Sequence, residues 1–167
     1  DLIHITSNDA DEGSFDITLT GNGATGLAGY QLWAASQGLE GPDADPKAIP
    51  FSEGVPNLSK YAFNMNGYEA DYRMLVPGGG IAGLPYLRIE PGAESHVFRF
   101  EFLRRAGSGL VYTPMVSATL LPGSWTPLAD EPTVIPLSIG WERVIYEDIL
   151  DPALAPRTFW RVEIMLP

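Results

Sequence analysis

Apolar and polar residues alternate along two short segments at the start of the chain, and this is the period of a β-strand. The segments cover residues 1–7 and 14–21, and their apolar positions are Leu2, Ile3, Ile5, Phe15, Ile17 and Leu19. Residues 8–13 between them have turn chemistry, so the pattern predicts a β-hairpin over residues 1–23. An isolated hairpin is only marginally stable in water. We therefore expect it to pair with the rest of this chain, with a removed upstream segment or with a neighbouring molecule.

After a glycine-rich hinge the apolar period becomes that of an α-helix, and two short helices are predicted. The first stops at Gly38 and places on one stripe Leu27, Tyr30, Leu32, Trp33 and Ala34. The second begins at Pro56, ends at Asn66-Gly67 and carries Leu58, Tyr61, Ala62 and Met65. Because these helices are too short to make a domain, residues 24–80 are interpreted as a hinge and connector.

The β period returns at Pro85 and continues to the end of the chain. Phe98, Phe100 and Phe102 alternate with Arg99 and Glu101, so one face of this strand is expected in the core and the other in water. The closing strand repeats the pattern with Trp160, Val162, Ile164 and Leu166. Further strands are predicted at residues 110–118, 133–137 and 141–147. Residues 81–167 thus predict an all-β domain, a β-sandwich of immunoglobulin-like or jelly-roll-like type.

Composition and charge narrow the classes of partner. The 18 glycines and 15 prolines favour many short strands and turns. A formal net charge of −11 opposes binding to nucleic-acid phosphates or anionic lipid, and no apolar run is long enough to span a bilayer. We therefore expect no nucleic-acid partner and no membrane insertion. The absence of cysteine excludes disulfides, thiolate catalysis and cysteine-ligated zinc.

Short motifs along the chain occur in the order in which one family has them. Residues 5–12 (Ile-Thr-Ser-Asn-Asp-Ala-Asp-Glu) and 15–23 (Phe-Asp-Ile-Thr-Leu-Thr-Gly-Asn-Gly) resemble the closing hairpin of an immunoglobulin-like repeat of large secreted bacterial surface proteins. Residues 31–33, 41–46, 54–66, 104–105, 108–114, 124–128 and 159–167 are similar to the C-terminal, anchor-type β-domain of those proteins and the region before it. The resemblance implies secretion, a cell-surface location and a C-terminal position, and it implies no chemistry.

Two acidic clusters are candidates for metal sites. Asp43 and Asp45 are the best candidates for calcium, which prefers several oxygen ligands from a compact loop. Related proteins of the family continue this run with further acids, whereas this chain continues with Pro46 and Lys47. The alternative is a solvated loop whose aspartates cap turns. The second cluster, residues 9–12, is interpreted as part of the hairpin turn.

No grouping in the sequence has the spacing of a catalytic site, so we expect no catalytic residues and no enzymatic activity. His4 and His96 lie in or beside predicted strands and are far from any nucleophile motif. Residues 107–109 (Gly-Ser-Gly) are interpreted as a hairpin loop, and residues 78–80 (Gly-Gly-Gly) as a flexible connector. Four glutamates alternate with basic residues, as on a solvated sheet, although a glycosidase pair among them stays open: Glu90, Glu101, Glu142 and Glu163.

Two functions follow from these patterns. The first is a non-enzymatic structural or adhesion module at the cell surface, which assembles with copies of itself or with the adjacent domain by β-strand addition and forms a filament or surface layer. The alternative is a carbohydrate-binding sandwich that uses Trp125 and Trp141, because indole rings stack on sugars. Polysaccharide would then be the partner, with calcium at Asp43 and Asp45.

Overall fold

The computed structural model describes residues 2–6, 14–18, 26–91, 96–138, 140–150 and 158–167. In this part of the chain the strands are β1 Leu2–Thr6, β2 Ser14–Thr18, β3 Tyr86–Pro91, β4 His96–Arg105, β5 Val111–Ser117, β6 Thr126–Pro127, β7 Thr133–Ser138, β8 Trp141–Leu150 and β9 Phe159–Met165. The helices are α1 Gly26–Ser36 and α2 Asn57–Ala62, with a 3-10 turn at Gly41–Ala44 between them.

Two antiparallel sheets pack face to face, with the strand orders β3-β4-β8-β7 and β6-β5-β9. Phe100 and Phe102 of β4 lie in the core beside Val144 of β8. From the second sheet, Trp160 and Val162 pack against this cluster. The predicted all-β sandwich is therefore confirmed.

Strand alternation correctly predicts the inward-facing residues of β9, but it predicts the wrong environment for one outward-facing residue of β4. Trp160, Val162 and Ile164 pack on the core as predicted. Glu101, which the pattern places in water, is only 1% exposed. Its carboxylate accepts hydrogen bonds from Arg143 and from the backbone N–H of Gly78, so residues near Gly78 cover this outer face of the sheet.

Strands β1 and β2 form the predicted N-terminal hairpin. They pair antiparallel, with Ile3 opposite Ile17 and Ile5 opposite Phe15. Among the described strands, each pairs only with the other. Leu19 and the predicted turn lie outside the described residues.

Both predicted helices form, but the buried face of the first differs from its predicted stripe, whereas Tyr61 and Ala62 of the second are buried as predicted. Helix α1 buries Gly29, Tyr30 and Ala34, whereas Leu27 and Leu32 are 50% and 63% exposed. Small residues at two of these positions let the helix approach its neighbours closely. Helix α2 ends at Ala62, earlier than predicted, and Asn64 just beyond it adopts a positive φ of 57°.

The connector contributes to the same hydrophobic core as the sheets. Ala62, Phe63 and Met65 are buried in one cluster with Phe100 and Phe102. A second cluster joins Tyr61 to Tyr30, Ala34 and Leu39. The boundaries at residues 23 and 80 stay predictions, but this packing explains how the connector is held against the sandwich.

The Gly107-Ser108-Gly109 turn is not the hairpin loop that its composition indicates. It joins β4 to β5, and these strands belong to different sheets. Gly107 and Gly109 have φ values of 67° and 74°, a region that L side chains rarely adopt. The two glycines let the chain cross from one sheet to the other within a few residues.

Tyr112 links the connector to both sheets, and this predicts a loss of stability at high pH. Its hydroxyl donates to the Ala62 carbonyl at 3.1 Å and accepts from the Arg105 N–H at 3.1 Å. Burial raises the pKa of Tyr112 to about 12, because the phenolate loses its hydration in the core. The stabilisation is complete below pH 10, the ordinary pKa of tyrosine, and is lost as pH rises from 10 to 12.

We expect Tyr112 to account for a fall of about 2–3 kcal/mol in the free energy of unfolding between pH 10 and 12. Urea unfolding at a series of pH values measures this fall. Tyr112→Phe should be less stable at neutral pH, because two hydrogen bonds are lost, and should show a shallower alkaline decline. Tyr72→Phe, at a position 69% exposed, is the matched control. Equal alkaline slopes for Tyr112→Phe and the wild type would contradict the prediction.

Candidate functional site

In the part of the chain that the structure describes, the two sheets leave one side of the sandwich open between β3 and β9. Each of these strands ends its sheet and pairs on one side only among the described strands. The rings of Phe100, next to β3, and Trp160 of β9 lie 5.5 Å apart, so the two edges face the same side. A cavity of about 510 Å³ lies between them, lined by Ser59, Phe63, Met74, Leu84, Pro85, Tyr86, Leu87, Phe100, Trp160, Arg161 and Val162.

A second cavity continues along β9 toward the end of the chain. It measures about 450 Å³ and is lined by Asp45, Pro46, Lys47, Leu58, Ile164, Met165 and Leu166. Helix α2 borders both cavities, since Ser59 lines the first and Leu58 the second. We refer to the two cavities together as the edge groove, which follows β9 from Trp160 to Leu166.

The lining of the edge groove combines apolar surface with an unused hydrogen-bond donor. The Nε1 atom of Trp160 is buried and has no hydrogen-bond partner among the described residues. A buried donor without a partner costs roughly 1–3 kcal/mol, so an acceptor in the groove would relieve this cost. Met165, which lines the second cavity, is 53% exposed. Ile89 on β3 is 51% exposed and extends the apolar surface beyond the cavities.

This geometry suits recognition of an extended chain. An edge strand presents N–H and C=O groups that no neighbour uses, and a partner strand can pair with them. Apolar cavities beside such an edge accept alternate side chains of the added strand and fix its register. Among the described residues, the groove lining contains one carboxylate, Asp45, and no histidine.

The strands predicted to take part in assembly are formed. Leu2, Ile3 and Ile5 lie in β1, and Phe15 and Ile17 lie in β2. Sequence reasoning identified these candidate donor segments by their alternation. It missed the edge groove, because the groove combines residues from the connector, β3 and β9.

The two tryptophans proposed for sugar binding lie beside different sheets: Trp125 next to β6 and Trp141 in β8. Trp125 precedes β6 and has the guanidinium of Arg161 4.1 Å from its ring centroid. Trp141 opens β8 and has the guanidinium of Arg105 at 4.3 Å. One face of each indole is therefore occupied by a cation from the same molecule, and a sugar ring would have to use the opposite face.

Asp43 and Asp45 lie on a loop that other residues organise. The Asn57 side-chain amide donates to the backbone carbonyls of Asp43 and Asp45 at 2.7 and 3.1 Å. The Asp45 carboxylate accepts the N–H of Lys47 at 2.8 Å, which is an Asx turn. Among the described residues no group of three or more acidic or histidine side chains is placed to hold a metal. The proposed calcium site thus gains no support from this loop.

Two buried ion pairs escaped the sequence analysis. Lys60 of α2 is fully buried and pairs with Glu53, whose side chain is 2% exposed. Lys60 Nζ also donates to the Glu69 carbonyl at 3.0 Å. The second pair joins Glu101 to Arg143, with side chains 1% and 3% exposed. The first pair joins segments of the connector to one another, and the second holds Gly78 and Gly80 of the connector against the sandwich.

The other three glutamates of the predicted solvated face, Glu90, Glu142 and Glu163, pair with arginines. They keep 46%, 26% and 42% of their side-chain surface exposed.

No described helix is long and apolar enough to cross a membrane. Comparisons with protein-family models, curated proteins and solved structures found no match to this chain.

Proposed function

We propose that this chain is a non-enzymatic structural module that assembles by β-strand addition. The observation that carries the proposal is the edge groove, an apolar channel beside the edge of β9 that no described strand pairs with. Main-chain hydrogen bonds would supply affinity, and the cavities on either side of α2 would supply register. The Trp160 indole N–H would find its acceptor in the added strand.

The occupant that we propose is the N-terminal hairpin of a second copy. Its strands pair only with each other among the described strands, so each has an outer edge free for a further partner. A five-residue strand spans about 17 Å, and the seven residues of β9 are long enough to accept it. Residues 1–23 contain five acids and no lysine or arginine, whereas Lys47 and Arg161 border the groove.

Addition of one copy's hairpin to the next copy's groove is a head-to-tail contact. Such a contact uses two different surfaces, so it propagates into a filament unless the rotation between copies closes a ring. A surface layer or filament is the expected product. The sequence resemblance supports a bacterial, extracellular setting for it, at the C-terminal end of a larger surface protein.

Light scattering behind a sizing column tests the proposal. The wild type should form a series of large species that grows with protein concentration at physiological salt. Ile17→Lys places a charge at a predicted apolar position of β2 and should return the protein to a monomer of 18.1 kDa. Thr18→Lys, at the next position, is the matched control and should assemble.

Removal of residues 1–23 should also abolish assembly, with circular dichroism checking that the sandwich stays folded. A wild type that remains a sharp monomer at every concentration would refute strand addition between molecules. In that case polysaccharide binding at Trp125 and Trp141 becomes the function to test. Loss of a polysaccharide-induced change in tryptophan fluorescence in Trp125→Ala would then support it.

A further inference from the structure

Arg105 is a half-buried cation with an unusual environment. Its guanidinium lies between two aromatic rings, 4.2 Å from the Tyr61 ring centroid and 4.3 Å from that of Trp141. Both contacts are cation–π interactions, and together they fix the plane of the guanidinium. Its Nε and Nη2 atoms donate to the Tyr61 carbonyl at 3.3 and 3.1 Å.

No carboxylate among the described residues forms an ion pair with this guanidinium. The other arginines for which contacts are described, at positions 73, 88, 99, 104, 143 and 161, each pair with an acid. Burial lowers the pKa of Arg105 from its usual value, although it stays protonated. The positive charge is therefore partly removed from water and has no negative partner from the described part of the chain.

The hydrogen bonds already made leave one edge of the guanidinium free. The Tyr61 carbonyl occupies the side edge formed by Nε and Nη2. Nη1 has no hydrogen-bond partner among the described residues, and Nη2 keeps a second hydrogen. These two nitrogens form the end edge, which matches the two oxygens of a carboxylate.

A small cavity lies beside Arg105. It measures about 180 Å³ and is lined by Tyr61, Arg105, Ala106, Gly107, Ser108, Gly140 and Trp141. Two of these residues are glycines with nothing within 4 Å of the position a Cβ would take. The cavity has room for a carboxylate on a short chain and too little for a drug-sized ligand, which needs roughly 300 Å³ or more.

We infer that the Arg105 cavity is a carboxylate-binding site, in which the end edge of the guanidinium binds both oxygens while Tyr61 and Trp141 hold its plane. Among the described residues, Arg105 is the only cation that lines the cavity, so a single negative charge suits it better than a phosphate or sulfate dianion. The inference does not rest on strand addition. The carboxylate can belong to a free small acid or to an acidic side chain of another chain.

Acetate titration of the full chain, followed by NMR of the Trp141 indole N–H and the Arg105 Nε–H, tests the inference. At constant ionic strength these two signals should shift and saturate with acetate, and sodium chloride should not reproduce the shift. Arg105→Lys keeps the charge but removes the end edge formed by the two guanidinium nitrogens, so it should weaken acetate binding by about tenfold or more. Arg88→Gln, which removes a 39% exposed arginine paired with Glu90, should bind acetate like the wild type.

A second variant keeps the test valid if Arg105 cannot be replaced without unfolding. Ala106→Glu places a tethered carboxylate at the cavity wall and should abolish the acetate response, whereas Ala106→Gln should preserve more of it. An unchanged acetate response in both Arg105→Lys and Ala106→Glu would overturn the inference. A response to chloride or phosphate equal to that for acetate would overturn it as well.

The source of the carboxylate is resolved by comparing acetate with a peptide of residues 5–13. This peptide carries Asp9, Asp11 and Glu12, and its control has asparagine and glutamine in their place. If the acidic peptide binds about tenfold or more tightly than acetate and the control does not, the source is an acidic segment of a second copy. If the acidic peptide and acetate bind alike through Arg105, the ligand is a free small acid, and the site is confirmed in either case.

Discussion

Arg143→Met is expected to lower the free energy of unfolding by about 3–5 kcal/mol, because it leaves Glu101 as a buried carboxylate without its cation. Arg143 Nη1 lies 2.7 Å from the carboxylate of Glu101. The two side chains are 3% and 1% exposed, so water cannot replace the lost partner. Methionine fills much of the same volume, and the loss therefore reports mainly the unpaired charge.

The same pair fixes the glycine-rich segment on the outer face of the sheet. The Gly78 N–H donates to Glu101 at 2.9 Å, and Arg143 Nη2 donates to the Gly80 carbonyl at 2.6 Å. Arg143→Met removes the second of these bonds together with the ion pair. Amide hydrogen exchange around residues 76–80 should consequently become faster in this variant than in the wild type.

Urea unfolding measures the stability loss, and two further variants isolate its cause. Arg99→Met breaks an ion pair on the same face whose side chains are 32% and 55% exposed, so it should cost about 1 kcal/mol or less. Glu101→Leu combined with Arg143→Met removes both charges and should recover a large part of the stability. If Arg143→Met costs no more than Arg99→Met, the buried pair does not stabilise the fold in the way that we describe.

This pair also marks how far the sequence predicts the fold. Alternation in residues 96–105 correctly gives the strand and its aromatic inward face. It gives the wrong environment for Glu101, because burial there depends on Arg143 42 positions away and on the loop at Gly78. Periodicity describes one strand in its own sheet, and it carries no information about a distant segment that covers the outer face.

The two helices also show that periodicity does not predict contacts with other segments of the chain. Lys60 lies outside the predicted apolar stripe of the second helix, yet it is fully buried with Glu53. Leu32 reads as part of the buried stripe and is 63% exposed. In a six-residue helix and an eleven-residue helix, contacts with surrounding loops outweigh the helical period, since each face has only two or three residues to define it.

Of the candidate site, the sequence predicts the hairpin strands but not the edge groove, for a related reason. The hairpin strands are local, and their alternation reveals them. The groove depends on which strands end the sheets, and β8 inserts between β4 and β7 in the order β3-β4-β8-β7. Strand order of this kind does not follow from the spacing of apolar residues. The arginines stacked on Trp125 and Trp141 are likewise distant from them in sequence.

Met165→Lys is expected to raise the protein concentration needed for assembly by about tenfold or more, because a lysine on an edge strand opposes addition of another strand. Met165 lines the edge groove and is 53% exposed, so the substitution should leave the sandwich folded. This prediction rests on the proposed strand addition. It asks whether the groove beside β9 is the surface that receives the added strand.

Val111→Lys is a closely matched control. Val111 pairs directly with Met165 across β5 and β9 and is 46% exposed. The two residues therefore lie in the same sheet and have similar exposure. Val111 lies on β5, whose edge at this position already pairs with β9, and β6 pairs with β5 only at Met115 and Val116. The substitution leaves the outer edge of β9 unchanged, and Val111→Lys should therefore assemble at nearly the wild-type concentration.

Ile89→Lys separates the two edges that border the groove. Ile89 lies on β3 and is 51% exposed, so it reports on the opposite edge. Light scattering over a concentration series compares the three variants with the wild type. If the added strand pairs with β9, Met165→Lys has the largest effect, since its charge lies on the edge that forms the hydrogen bonds. Assembly that survives Met165→Lys but fails in Ile89→Lys would move the receiving edge to β3. Equal assembly of all three variants would place the contact outside the groove.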